Sequence, residues 1–77
     1  MNNEVTQVTI GNLIEWRYET NAISTEEFVG LIFSVSGALL PPVGTIIELD
    51  DLCPKLPEEV VTLLYKWILE NLIWTKM

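Results

Sequence analysis

Residues 56–74, LPEEVVTLLYKWILENLIW, decide how this chain is read. Pro57 stands where a helix has no use for an N–H, and Glu58 and Glu59 follow it into the first turn, where a negative charge meets the positive end of the helix dipole. Val60, Val61, Leu64, Trp67, Ile68 and Leu72 then recur at helical spacing as a wide stripe. Leu63, Tyr65, Leu69, Ile73 and Trp74 spread apolar surface around the rest of the cylinder. A helix apolar on so many sides needs neighbours on more than one of them, so this stretch predicts a helical fold with apolar surface left over.

Working back from it, Ser24-Thr25-Glu26-Glu27 has the form of a capping box, with Ser24 as N-cap and Glu27 three residues on. Ile23 and Phe28 stand at the spacing of a hydrophobic staple around that cap. The spacing predicts a second helix from about Glu26 to Leu40, stopped by Pro41-Pro42, with Phe28, Leu31, Ile32, Val35 and Leu39 on one face. Gly30, Ser34 and Gly37, with Ala38, recur on another face. Two glycines inside one helix cost roughly 1 kcal/mol each relative to alanine, so Gly30, Ser34 and Gly37 are assigned to close helix packing. On that assignment Gly30→Leu or Ser34→Leu overpacks the contact and costs about 1–3 kcal/mol.

The first element is less sharply marked. Ile10, Leu13, Ile14 and Tyr18 fit a helix from about Gln7 to Thr20, yet Val5-Thr6-Gln7-Val8-Thr9-Ile10 also reads as an alternating strand. The helix is adopted from Ile10 onward and the character of residues 5–10 is left open. Thr20-Asn21-Ala22 makes the turn into the second helix. Between the second and third helices, residues 41–56 form a long connection of ordered composition. Val43 to Ile47 suits one short extended segment, and Leu49, Leu52 and Leu56 are placed to pack down while Asp50 and Asp51 face water. The expected architecture is all-α: a single small domain over 1–77, three helices and an ordered 41–56 connection.

Composition narrows function mainly by exclusion. Seventy-seven residues hold one core, and 49% hydrophobic residues with a mean hydropathy of +0.34 exceed what so small a globule readily covers. Eleven acids against four bases give a net charge of −7, which repels phosphate backbones and anionic lipid. Nucleic acid is not expected as a partner. The uncharged run from Phe28 to Ile47 has the length of a membrane span, but Pro41-Pro42 interrupts it and its flanks are acidic, so a membrane span is not expected either. The opening Met1-Asn2-Asn3-Glu4 has no basic and apolar leader pattern, and the lone Cys53 suits a reducing compartment. Both point to the cytoplasm.

No catalytic constellation emerges from the residues. The chain has no His, which removes the usual zinc sets and the base that would activate Cys53 or a serine. Glu48-x-Asp50-Asp51 lacks the glycine and distal glutamate of a calcium loop and reads as a solvated acidic loop. Ser34 lies between Phe33 and Val35 in mid-helix, not after an acid at a helix start as in an acyl carrier. The chain is therefore read as non-enzymatic, with no cofactor, metal or small-molecule substrate.

What remains is surplus apolar surface. Symmetric pairing of identical patches is its commonest outlet, so the leading expectation is a homodimeric adaptor or small regulator that also engages another protein. Its interface is assigned to Leu64, Ile68, Leu72, Ile73 and Trp74 on the last helix, joined by Trp16, with peripheral core packing as the competing role for both tryptophans. A monomeric, acidic, antitoxin-like inhibitor of a basic protein is the alternative, and a peripheral subunit of a membrane complex a weaker one.

Overall fold

The computed structural model describes residues 6–71. In chain order these form β1 (Gln7–Thr9), α1 (Ile10–Thr20), α2 (Thr25–Ser36), β2 (Ile46–Glu48), the short α3 (Leu49–Leu52), a 3-10 turn (Cys53–Lys55) and α4 (Glu58–Asn71). The described residues are thus mostly helical, with four α-helices, and carry a two-stranded sheet that the all-α expectation lacked.

The sheet forms because residues 7–9 alternate and meet a second alternating run. β1 and β2 pair antiparallel, Val8 opposite Ile47, with both side chains buried. Gln7 faces Glu48 across the pair, and its side-chain amide donates to the Glu48 carboxylate. The extended segment expected near 43–47 therefore lies at 46–48, and the open question over the first residues resolves to strand up to Thr9 and helix from Ile10.

Thr9 makes that switch possible. Its hydroxyl accepts from the Asn12 N–H at 3.0 Å while the Asn12 side-chain oxygen accepts from the Thr9 N–H at 2.9 Å, a capping box with Asn in the third position. The next two donors of α1 are taken by the connection: Ile10 N–H donates to the Thr45 carbonyl and Gly11 N–H to the Val43 carbonyl, each at 2.9 Å. Loop and helix touch here, since a Cβ at Gly11 would stand 3.4 Å from that same Val43 oxygen. Residues 41–56 are thus an ordered structural part. Leu49 and Leu52 of α3 are buried, Leu56 is half-buried, and Asp50 and Asp51 face water.

The core joins all elements. It holds Val8 and Ile47 of the sheet, Ile10, Leu13 and Trp16 of α1, Phe28, Leu31 and Ile32 of α2, and Leu49 and Leu52 of α3. From α4 come Val60, Leu64, Trp67 and Ile68. The face that α1 buries differs from the expected one. Ile10, Leu13 and Trp16 point inward, while Ile14 and Tyr18, whose spacing marked the helix, are exposed. Successive helix positions turn by about 100°, so two neighbouring apolar stripes compete, and the one that holds Leu13 and Trp16 is covered by the core. The Trp67 indole N–H donates to the Glu19 carboxylate at 2.9 Å and fastens α1 to α4 on that side.

Two expectations for α2 are corrected. The helix ends at Ser36, not Leu40, because Gly37 adopts φ 78° as a left-handed C-cap and returns its N–H to the Phe33 carbonyl at 2.8 Å. The close packing assigned to Gly30, Ser34 and Gly37 is not formed within the chain. Gly30 and Ser34 lie on the solvent side of α2, Gly37 lies beyond its end, and a Cβ at Gly30 would meet nothing within 4 Å. Gly30 is consequently an unsupported helix glycine. Gly30→Ala should raise stability by about 0.5–1 kcal/mol, and Gly37→Ala should lower it by about 1–2 kcal/mol because alanine resists the left-handed region. Urea midpoints measured at one protein concentration check both; a lower midpoint for Gly30→Ala would mean that the small face is packed after all.

Candidate functional site

Two grooves flank α2 among the described residues. The buried stripe of α2 faces the core, and the residues flanking that stripe on either side form one wall of each groove.

The larger groove, of about 390 Å³, lies between α2 and the approach to α4. Glu27, Leu31 and Ser34 form one wall at i, i+4 and i+7; Lys55, Leu56 and Pro57 form the other, and Ile23 closes the end. Local chemistry sets both walls. The capping box places Glu27, whose Oε1 accepts the Ser24 N–H at 3.2 Å, and the two prolines flanking Lys55-Leu56 hold the opposite wall between the 3-10 turn and the start of α4.

The smaller groove, of about 90 Å³, opens on the other side of α2. Ile10 and Ile14 of α1 face Phe28, Val29 and Ile32 of α2 across it, and Leu39, Leu40 and Pro41 close it. No charged side chain lines it. Because Gly37 ends the helix early, Leu39 and Leu40 leave the helix axis and stand 61% and 92% exposed at its mouth. Phe33 one turn beyond Val29, and Val43 above Gly11, extend this face at 52% and 66% exposure.

The assigned interface is rearranged by these positions. Leu64, Ile68 and Trp16 are buried in the chain's own core and present no surface to a partner. Leu72, Ile73 and Trp74 lie outside the described residues. On α4 the apolar residues left outward are Leu63, Tyr65 and Leu69. The residues that sequence reasoning missed are Leu39, Leu40 and Val43. The signal was Gly37: read as the left-handed end of α2, it sends the uncharged residues after it out into solvent.

No three His, Cys, Asp or Glu side chains converge on a metal-sized point among the described residues. The Cys53 thiol is half-buried and lies 4.0 Å from the Tyr65 hydroxyl. No described helix is long and apolar enough to cross a membrane. Comparison with protein-family models, with characterised proteins and with solved structures finds no match to this chain.

Trp16 is wholly buried and its indole N–H has no hydrogen-bond partner among the described residues. Its contribution is volume, since the orphaned donor itself is unfavourable. Trp16→Phe removes that donor but leaves a smaller ring and a residual cavity, so it should cost less than Trp16→Ala while still lowering stability. Trp16→Ala should cost about 3–5 kcal/mol, a large share of a domain this small. Chemical denaturation of both variants checks the assignment; an alanine variant as stable as the parent would return Trp16 to the surface.

Proposed function

We propose that this protein is a non-enzymatic protein–protein interaction module that associates with itself through the apolar face around Leu39 and Leu40. The observation that carries this reading is the extent of that face. Ile14, Val29, Phe33, Leu39, Leu40 and Val43 are exposed together around an uncharged groove. Their open fractions correspond to on the order of 500 Å² of apolar side chain, at the upper end of the roughly 300–600 Å² largest patch of an ordinary monomer and more than half of the ~800 Å² each partner contributes to a stable interface. A second copy supplies the same face in reverse, which is the self-complementarity a two-fold dimer requires.

Charge shapes the conditions of pairing. Each copy carries −7, so two copies repel at long range, and the uncharged groove is the part of the surface where close approach leaves no carboxylate unpaired. Salt screens the repulsion and leaves the apolar contact in place. The reading thus retains the homodimer expected from the sequence and moves its contact surface from α4 to the groove between α1 and α2.

The mass of the particle tests it. Light scattering should give twice 8.8 kDa at micromolar concentration, with dissociation favoured at low salt. Leu40→Glu should return the particle to a single chain without altering its circular dichroism, because Leu40 takes no part in the core. A parent that stays a single chain at high protein and high salt, or a Leu40→Glu variant that still pairs, would overturn the reading.

A further inference from the structure

We propose that Leu40 of each copy inserts into the smaller groove of the other, so that the two copies exchange leucines and each groove is completed by a residue of its partner. This rests on self-association through the Leu40 face and names the contact that makes it.

The groove sets the kind of occupant. Its floor is Ile10, Phe28 and Ile32, all buried, and its walls are Ile14 and Val29, both exposed. No polar side chain lines it, so it offers no side-chain hydrogen bond to orient a polar ligand. Its volume of about 90 Å³ is well below the roughly 300–1,000 Å³ of small-molecule sites. Truncating one buried leucine leaves a cavity of about 150 Å³, so this groove takes most of one aliphatic side chain and no more.

Such a side chain stands beside it. Leu40 is 92% exposed at the mouth, so it does not fill its own groove. The segment that carries it is braced at both ends. At one end the Ser36 hydroxyl donates to the Ile32 carbonyl at 2.6 Å and accepts from the Ala38 N–H at 3.2 Å. At the other, the Thr45 N–H donates to the Pro42 carbonyl at 3.0 Å, while the Val43 and Thr45 carbonyls are held by α1. Pro41 biases Leu40 itself towards extended backbone. An exposed leucine on a segment so fixed has little freedom left to lose on docking, which favours it as an anchor. No charged residue lies between Phe28 and Ile47, so neither the leucine nor the α2 side of the groove brings a carboxylate into the contact. The occupant that this surface supplies is therefore the Leu40 of a second copy, and two-fold symmetry makes the insertion reciprocal.

Two variants that each remove one half of the contact provide the test. Leu40→Ala takes away the inserted side chain and leaves the groove open; Val29→Trp fills the groove and leaves Leu40 in place. Each alone should raise the dissociation constant of the pair about a hundredfold, since two seated leucines are lost per pair. Mixed one to one, they should pair about tenfold more tightly than either does with itself, because Leu40 of the Val29→Trp chain finds the open groove of the Leu40→Ala chain. Sedimentation equilibrium reads the mass, and circular dichroism verifies that both variants fold. Independently, in a mixture of isotopically labelled and unlabelled parent chains, the Leu40 methyl protons should show intermolecular Overhauser contacts to Phe28 and Ile32. A Val29→Trp chain that pairs as tightly as the parent overturns the exchange and leaves self-association standing. So does a mixture that pairs no better than its components, or a parent pair without those Overhauser contacts. A parent that stays a single chain overturns both.

Discussion

Three backbone N–H groups at the start of α1 hold this structure in its shape. An α-helix leaves its first donors without partners, and an unpaired buried donor costs on the order of 1–3 kcal/mol. Here the donors of Ile10, Gly11 and Asn12 find the Thr45 carbonyl, the Val43 carbonyl and the Thr9 hydroxyl. The chain can therefore pass from strand to helix between Thr9 and Ile10 without an intervening loop. The connection from Pro41 to Thr45 is at the same time tied to the helix that begins 35 residues before it ends. Once Val43 and Thr45 are fixed there, Ile46–Glu48 lies in register with Gln7–Thr9, and Leu49 enters the core with its own N–H on the Thr6 carbonyl.

That anchoring also determines what is left outside. Gly37 ends α2 and Thr45 is fixed at α1, so Ala38 to Gly44 must cross the gap between the two helices over the surface. The residues that do so are apolar, and no element among the described residues covers Leu39 or Leu40. The exposed face around the smaller groove is thus a consequence of the junction, not of a poorly packed core: Trp16, Leu13, Leu52 and Leu64 are fully enclosed. The larger groove owes its form to a different feature, the 3-10 turn and the extended Leu56 that lead into α4, which stand off from α2 instead of packing along it.

Local chemistry was the part of this fold legible in the sequence. The Ser24 capping box, the Pro57 start of α4 and the inward turn of Leu49 and Leu52 beside outward Asp50 and Asp51 all depend on residues within four positions of one another. What could not be read depends on which neighbour arrives. Ile10-Leu13-Trp16 and Ile10-Ile14-Tyr18 are both helical stripes, and it is the assembled core, with α4 tied to α1 by the Trp67–Glu19 bond, that buries the first. The strand at Gln7–Thr9 needs a partner 39 positions on at Ile46–Glu48. Gly37 was ambiguous for a related reason: within the apolar run it fits a small packing face as well as a left-handed cap, and the cap prevails because nothing approaches that side of α2. The interface assignment shifted with these choices. Leu64 and Ile68 are apolar because they are core, and surplus surface gathers where the chain leaves regular structure.

Amide hydrogen exchange at Ile10 and Gly11 tests the anchoring role of the junction most directly. Both groups lie at a helix start, where amides ordinarily exchange freely, and they are bonded here to carbonyls 35 and 32 positions away, respectively. The account expects them to exchange only on global unfolding, with the same protection as the amides of Leu64 and Ile68. Rapid exchange at Ile10 and Gly11 beside a protected α4 would contradict it: the connection would then not be fixed to α1, and the face that Leu39 and Leu40 present would have no fixed geometry.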